Sequence, residues 1–236
     1  MEIYDCPDYE KMSQLACESS LNDIREYPNL LLCPATGNSP KGLYAKLVNA
    51  SKKEASLFKG LHIIKLDEWG GIPANDPNSC ESYIRENIID PLQIKDSRYI
   101  SFESSPVDAK KECNRIENEI MESGPIDVCI LGMGKNGHLG FNEPASFLIP
   151  ECHVAELSRT SLMHSMTDTM HYKPNYGLTL GMANILQAKK IILLLTGSGK
   201  KQAIKEFMDK EITTFLPASF LWLHPQVHCY IDKSSM

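Results

Sequence analysis

The sequence predicts an α/β protein with a doubly wound, mostly parallel sheet and helices on both faces, in the Rossmann-like manner. Short apolar runs rich in Ile, Leu and Val alternate with longer amphipathic stretches. Apolar runs without polar alternation are typical of strands that are buried on both faces. The alternation of strand and helix favours parallel pairing with right-handed crossovers.

The predicted elements follow from these two patterns. Strands are expected at Leu30–Cys33, His62–Leu66, Tyr99–Phe102, Ile126–Leu131, Ile191–Thr196 and Val227–Ile231. Helices are expected at Pro40–Ser51, Cys80–Ile89, Ala109–Met121, Tyr176–Leu186 and Lys200–Met208. We expect one domain over residues 1–236, with a lid around residues 149–174, a less regular stretch that holds three of the seven histidines. Because ligands bind beyond the carboxyl ends of strands in such sheets, the residues just after each strand are candidates for a site.

Composition and charge exclude several classes of protein. The 24 Lys and Arg and the 30 Asp and Glu give a formal charge of 24 − 30 = −6, which argues against a nucleic-acid surface. No apolar run approaches the length of a membrane span. The eight cysteines include no C-x-x-C pair, and Met1 is followed directly by Glu2, without a signal peptide. We therefore expect reduced thiols in a cytoplasmic protein.

Two glycine-containing stretches that follow predicted strands are candidates for binding an anion. The first is Cys33–Pro40, in which Ser39 is a candidate helix cap. Pro40 suits the first helical turn, where free N–H groups attract anions. The second is Thr196–Lys200, in which the lysine adds a point charge. Each stretch alone is also typical of an ordinary turn. Two of them at neighbouring strand ends favour a phosphate site made of Thr36, Gly37, Asn38, Ser39 and Lys200.

Two adjacent acids, Asp67 and Glu68, end the second predicted strand. Neighbouring residues of a strand point to opposite faces, so only one of the two carboxylates would face a ligand. One interpretation is a solvated turn before Gly70 and Gly71. The other makes one acid a base that removes a proton next to a carbonyl group.

A glycine-rich stretch, residues 131–144, follows the strand Ile126–Leu131 and holds four glycines within nine residues. His138 lies among them, and histidine is the side chain whose ordinary pKa suits proton transfer near neutrality. Glu143 follows closely enough to orient the imidazole or to stabilise its charge. The alternative is a glycine-rich loop whose histidine is structural, with its ring nitrogens hydrogen-bonded to the protein. The crowding of Gly, His and Glu at a strand end favours a catalytic site.

Taken together, these stretches resemble the glucosamine-6-phosphate deaminase/isomerase family, and within it most closely the galactosamine-6-phosphate isomerase branch. The run GKNGHLGFNEP at residues 134–144 is highly specific to the family. LPASFLWLH at 216–224, KLDEW at 65–69 and CHVAEL at 152–157 resemble the galactosamine branch. The matching stretches span nearly the whole chain: Pro34–Pro40, Lys65–Pro73, Ile126–Pro144, Tyr176–Ala188, Leu195–Lys200 and Leu216–His224.

The resemblance implies an enzyme that isomerises and deaminates an amino-sugar 6-phosphate. It implies that His138 assists opening of the pyranose ring while Glu143 holds the imidazole. Asp67 would carry a proton from C2 of the open chain towards C1, after which ammonia leaves from C2. Galactosamine 6-phosphate would give tagatose 6-phosphate, and glucosamine 6-phosphate would give fructose 6-phosphate. No metal or organic cofactor is implied.

Two departures from relatives concern charge. Asn136 stands where some relatives have Asp, and it is expected to orient His138 by hydrogen bonds without carrying charge. His164 aligns with a phosphate-binding Arg of the glucosamine enzymes, and nearby Arg159 is the other candidate for that role. The chain stops soon after Ile231, without the longer tail of allosteric, hexameric relatives. Allosteric activation is therefore not expected, and a homo-oligomer is left open.

Two other functions fit part of the pattern. A 6-phosphogluconolactonase would share the fold and the phosphate site, but the lactonases lack a tail like Asn142-Glu143-Pro144 after the Gly-His pair. A non-catalytic sugar-phosphate sensor would keep the pocket, yet Asp67, His138 and Glu143 are all present. The expected partner is therefore a small amino-sugar phosphate, and neither nucleic acid nor a membrane.

Overall fold

The computed structural model describes residues 1–73, 75–158, 162, 170 and 172–235. Its strands, in chain order, are β1 (Glu2–Cys6), β2 (Leu31–Pro34), β3 (His62–Ile64), β4 (Asp67–Gly70), β5 (Tyr99–Ile100), β6 (Val128–Gly132), β7 (His153–Ala155), β8 (Tyr176–Thr179), β9 (Lys190–Leu195) and β10 (Val227–Asp232). Seven of them form the main sheet in the order β1-β10-β9-β6-β2-β3-β5. Every pair in this sheet is parallel.

The described α-helices are α1 (Tyr9–Glu26), α2 (Asn38–Ser51), α3 (Cys80–Ile84), α4 (Ala109–Ser123), α5 (Met182–Leu186) and α6 (Lys201–Met208). The helix α3 continues as a π-helix over Arg85–Ile89. Short 3-10 turns lie at Ala55–Phe58, Asp96–Arg98, Ser198–Lys200, Pro217–Leu223 and Lys233–Ser235. Asp8, Ser79 and Asp108 cap α1, α3 and α4, because each side chain accepts a hydrogen bond from a backbone N–H of the first turn.

The apolar core lies on both faces of the main sheet. Along β9, Ile191, Leu193 and Leu195 pack on one face, and Ile192 and Leu194 pack on the other. The first face is covered by α4, α5 and α6, and the second by α1, α2 and α3. Both faces of the strand are apolar because both are buried, which is why its sequence shows an unbroken apolar run.

A second, antiparallel sheet has the order β4-β8-β7. Asp67, the first residue of β4, lies opposite Thr179 at the end of β8. The Leu180 amide donates to the Leu66 carbonyl at 2.9 Å, next to that pair. Trp69 and Phe141 pack beside this sheet with ring centroids 4.6 Å apart. The second sheet therefore holds Asp67 beside the glycine-rich stretch that contains Phe141.

The predicted fold class is confirmed, but three details of the predicted elements are wrong. The helix expected at Tyr176–Leu186 begins only at Met182, and Tyr176–Thr179 is the strand β8. A Cβ at Gly177 would lie 2.5 Å from the Phe141 ring, so close packing against a distant residue fixes this stretch as extended. The strand expected at His62–Leu66 ends at Ile64, because the chain crosses to the second sheet.

The third detail concerns Ser39, which is not the cap of α2. That helix begins at Asn38, and its cap position is Gly37, with φ of 103°. Of the predicted lid at residues 149–174, the described part includes β7, which pairs with β8. Among the described helices, none has the length and the apolar composition of a membrane span. All eight cysteines are buried, free thiols.

Candidate active site

Four chain segments meet at the carboxyl edge of the main sheet because β9, β6, β2 and β3 are neighbours in it. The segment after β2 holds Thr36–Ser39, and the segment after β3 leads to Asp67. The segment after β6 holds Asn136, His138 and Glu143, and the segment after β9 leads to Lys200. The fold thus brings the predicted catalytic and phosphate-binding residues of these segments to one edge.

Asp67 is a buried carboxyl group whose surroundings raise its pKa towards neutral pH. Its side chain is only 6% exposed, and Oδ1 has no hydrogen-bond partner among the described residues. Burial, and after it the charge of Glu68, raise the pKa of Asp67 to about 7. A hydrogen bond from the Cys80 thiol and the charges of His138 and Lys65 act in the opposite direction. A carboxyl with this pKa can both accept and return a proton at neutral pH.

Glu68 points away from Asp67, as the alternation of side chains along a strand predicts. Its Oε1 accepts hydrogen bonds from the backbone N–H groups of Trp69 and Cys80. Its Oε2 accepts from the Glu81 N–H at 2.8 Å and from Lys65 Nζ at 2.7 Å. Glu68 therefore anchors the start of α3, and Asp67 alone of the two acids faces the glycine-rich stretch.

His138 lies across a tight turn. The Gly134 amide donates to the His138 carbonyl at 3.0 Å, and the Gly137 amide donates to the Gly134 carbonyl at 3.1 Å. A Cβ at Gly134 would lie 2.3 Å from His138 Nε2, so only glycine lets the imidazole lie there. The ring is partly exposed, which leaves it reachable by a ligand.

Glu143 connects the histidine to its surroundings. Its Oε2 lies 3.3 Å from His138 Nδ1, an ion pair when the ring is protonated but not an aligned hydrogen bond. The same oxygen accepts from Asn136 Nδ2 at 2.9 Å, and Oε1 accepts from the Ser158 hydroxyl at 2.9 Å. The Asn136 Oδ1 accepts from the His138 backbone N–H at 3.3 Å. The hydrogen bonds of Asn136 thus go to the Glu143 carboxylate beside the imidazole and to the backbone of His138.

The start of α2 and the turn after β9, which holds Lys200, form a cationic corner. Ser39, in the first turn of α2, accepts a hydrogen bond from Lys200 Nζ at 3.2 Å. Gly37 has no side chain to cap the helix, which leaves first-turn N–H groups for an anion. Burial, and after it the positive charge of Lys135, lower the pKa of Lys200 to about 8.

Cys80 is a residue that sequence reasoning did not select. Its thiol is buried, lowers the pKa of Asp67 as a hydrogen-bond donor would, and lies 3.8 Å from Thr36 Oγ1. Cys80 opens α3, so only the fold brings it to Asp67. Lys135, Ser158 and Thr179 were also not selected. His164 and Arg159, the two predicted substitutes for a phosphate-binding arginine, lie outside the described residues.

We expect Cys80→Ala to raise the pKa of Asp67 further, because the thiol lowers that pKa in the manner of a hydrogen-bond donor. The acid limb of the pH profile of kcat/KM should move to higher pH, with a few-fold loss of rate at about pH 6, as expected for loss of one weak donor such as a thiol. Cys80→Ser, which keeps a donor, is the matched control and should retain most of the rate. A profile for Cys80→Ala that overlays the wild type would contradict this role.

Comparison with known proteins places this arrangement in a family. A family described as glucosamine-6-phosphate isomerases/6-phosphogluconolactonase matches residues 9–229. The chain belongs to this family. A protein named "Putative deaminase AgaI" from Escherichia coli (strain K12) is 39% identical over 224 residues, covering 95% of this chain and 89% of that protein. Glucosamine-6-phosphate deaminase 1 of Bacillus subtilis (strain 168) is 32% identical, covering 100% of this chain and 98% of its own.

Solved structures of the family share this fold. The structure of a monomeric glucosamine-6-phosphate deaminase covers 100% of this chain and 98% of its own at 32% identity, with a TM-score of 0.93. A 6-phosphogluconolactonase from Thermotoga maritima covers 98% of this chain and 99% of its own at 18% identity, with a TM-score of 0.77, which indicates a common fold alone. The predictions of the family and of an enzyme are thereby confirmed. A homo-oligomer stays a prediction for this member of the family.

Proposed function

We propose that the protein isomerises and deaminates an amino-sugar 6-phosphate, and that its substrate is galactosamine 6-phosphate. One observation carries the proposal: Asp67, a buried carboxyl whose Oδ1 has no hydrogen-bond partner among the described residues, lies at the same sheet edge as the His138–Glu143 pair and the cationic corner around Lys200. An aldose–ketose isomerisation needs a base at C2, an acid–base group at the ring oxygen and an anchor for the distant phosphate.

The residues divide these tasks. His138 protonates the ring oxygen as the pyranose opens, and Glu143 stabilises the charged imidazole. Asp67 removes the proton from C2 of the open-chain aldehyde while O1 takes up a proton from solvent, and the carboxyl then returns its proton to C1 of the enolamine. The resulting iminium at C2 takes up water and releases ammonia and a proton, which leaves a ketose 6-phosphate. The raised pKa of Asp67 supports this shuttle, since a base near neutrality can also give the proton back.

The choice of galactosamine rests on sequence stretches that resemble that branch: KLDEW at 65–69, CHVAEL at 152–157 and LPASFLWLH at 216–224. KLDEW contains Asp67, and CHVAEL contains the strand β7, whose His153 lies opposite Thr179 in β8. Thr179 in turn lies opposite Asp67. Two of the three stretches are therefore connected through the sheet to the proposed base.

The test is the ratio of kcat/KM for galactosamine 6-phosphate and glucosamine 6-phosphate, measured side by side with release of ammonia as the readout. We expect the galacto epimer to be preferred and to give tagatose 6-phosphate. A preference for the gluco epimer, with fructose 6-phosphate as product, would contradict the substrate but keep the reaction. Hydrolysis of 6-phosphogluconolactone without release of ammonia from either hexosamine would contradict the reaction as well.

Lys200→Ala is expected to raise KM far more than it lowers kcat. A phosphate far from the reacting carbons is bound equally in the ground state and the transition state, and such uniform binding affects KM. One charged hydrogen bond of this kind contributes roughly 1.5–3 kcal/mol, or about 10- to 150-fold in KM. Lys205→Ala, on an exposed face of α6, is the control. An unchanged KM in Lys200→Ala would remove Lys200 from the phosphate site.

The lowered pKa of Lys200 also predicts how binding depends on pH. In the free enzyme the ammonium loses its proton as the pH rises through about 8, whereas an unburied lysine would keep it to 10.5. KM should therefore rise above about pH 8 in the wild type.

A further inference from the structure

We propose that Lys135 is a second cationic ligand of the substrate phosphate and that it transmits phosphate binding to the turn that carries His138. The inference deepens the proposed function and rests on it. Lys135 belongs to the segment after β6, and Lys200 to the turn after β9. The two lysines therefore reach the same corner from different strands.

The position of Lys135 follows from its contact with Gly199. A Cβ at residue 199 would lie 2.8 Å from Lys135 Cε and 3.5 Å from its Nζ, so the absence of a side chain at Gly199 lets the lysine lie across the turn. The next residue, Lys200, directs its Nζ to the Ser39 hydroxyl at the start of α2. Lys135 lies against Gly199 and Lys200 reaches Ser39, so both lysine side chains border the corner between the turn after β9 and the first turn of α2.

The positive charges of Lys135 and Lys200 at this corner are not balanced by described acidic side chains. Among the residues that the structure describes, no carboxylate lies within ion-pair distance of Lys135 or Lys200. Lys135 acts on Lys200 in the sense of a like charge, because it lowers the pKa of Lys200. Neighbouring ammonium groups repel each other, and a dianion between them would turn that repulsion into attraction. A phosphate monoester is the anion that the proposed substrate supplies.

Lys135 also belongs to the turn that positions the histidine. The hydrogen bonds from Gly134 to His138 and from Gly137 to Gly134 close the turn around it. Its neighbour Asn136 holds Glu143, which pairs with His138. An anion that fixes Lys135 therefore fixes the segment that sets the imidazole. Lys200 has no such chain connection to His138, because it comes from another strand.

Binding of inorganic phosphate, measured by isothermal titration calorimetry near neutral pH, tests the first half of the inference. We expect Lys135→Gln to weaken phosphate binding about tenfold, as loss of one charged hydrogen bond predicts, and Lys135→Arg to bind phosphate with the affinity of the wild type. Lys205→Gln removes an equal charge from α6 and should leave the affinity unchanged. Equal phosphate affinity in Lys135→Gln and Lys205→Gln would overturn the assignment. Lys135 is exposed, so the fold should survive its replacement.

Steady-state kinetics with the amino-sugar phosphate test the second half. We expect Lys135→Gln to raise KM and also lower kcat about tenfold, whereas Lys200→Gln changes mainly KM. An unchanged kcat in Lys135→Gln would overturn the coupling to His138. The phosphate titration needs no turnover. If the wild type deaminates no amino sugar and Lys135→Gln still loses phosphate binding, the proposed function is refuted and Lys135 remains a phosphate ligand. If the wild type deaminates an amino sugar and Lys135→Gln does so equally well, the function stands and the role of Lys135 is refuted.

Discussion

Asp67→Asn should abolish turnover while the protein stays folded and still binds phosphate. The amide cannot take the proton from C2, and loss of a general base typically costs about 10²–10⁴-fold in rate. The neighbouring acid Glu68 cannot replace Asp67 as the base, because its oxygens accept hydrogen bonds from backbone N–H groups and from Lys65. The measurement is kcat/KM together with phosphate titration of the same preparation.

The same substitution should change stability in a pH-dependent way. Folding raises the pKa of Asp67 from 3.8 to about 7, so the folded state holds a proton in that interval that the unfolded chain has lost. Wild-type stability therefore falls as pH rises through the window. An amide does not titrate, so Asp67→Asn should gain stability relative to wild type above about pH 7, and the gain should disappear below about pH 4.

Asp209→Asn makes the same chemical change at an exposed position and serves as the control. It should affect neither rate nor the pH dependence of unfolding. Activity of Asp67→Asn within a few-fold of the wild type would remove Asp67 from the mechanism, whatever its stability.

His138→Gln should slow deamination strongly yet leave exchange of the ketose C1 proton with solvent less affected. Deamination starts from a cyclic sugar, and opening the ring is the step assigned to the imidazole. Exchange at C1 can begin on the open chain of a ketose 6-phosphate, where Asp67 moves the proton. The expected loss of deamination is about 10²–10⁴-fold, as for other acid–base groups.

Glu143→Gln should have the same effect more weakly. The neutral amide keeps contact with Asn136 and Ser158 but no longer stabilises a charged ring 3.3 Å away. Solvent deuterium exchange by NMR, recorded beside the deamination rate for both variants, separates the two steps. If His138→Gln loses exchange and deamination equally, the imidazole serves the C2–C1 proton transfer too, and the division of labour fails.

The sequence predicted those parts of the fold that depend on local pattern. Buried parallel strands such as β6 and β9 show as apolar runs because both faces are covered. It did not predict β1, an edge strand with mostly exposed side chains, or β8, which is extended because it pairs with β4 and packs Gly177 against Phe141. Pairing between distant segments leaves little trace in local composition.

The candidate site follows the same division. Asp67, His138 and Glu143 could be selected because they stand just after predicted strands, and the topology of a parallel sheet brings such positions together. Cys80 and Lys135 could not, because their roles depend on side-chain directions across the site. Cys80 approaches Asp67 from the start of α3, and Lys135 lies across Gly199, in the turn after β9 that also holds Lys200.

The division of the site between two sheets has a consequence for which sugars fit. The cationic corner belongs to the main sheet through α2 and β9, whereas Asp67 begins β4 of the antiparallel sheet. The distance between the phosphate anchor and the base is therefore a property of how the sheets are joined, near the Leu180–Leu66 hydrogen bond. We expect that distance to set the length of carbon chain that can lie between Lys200 and Asp67. We expect a pentose 5-phosphate anchored at the corner to place its C2 one carbon short of Asp67, and therefore to be a poor substrate whatever the orientation of its hydroxyl groups.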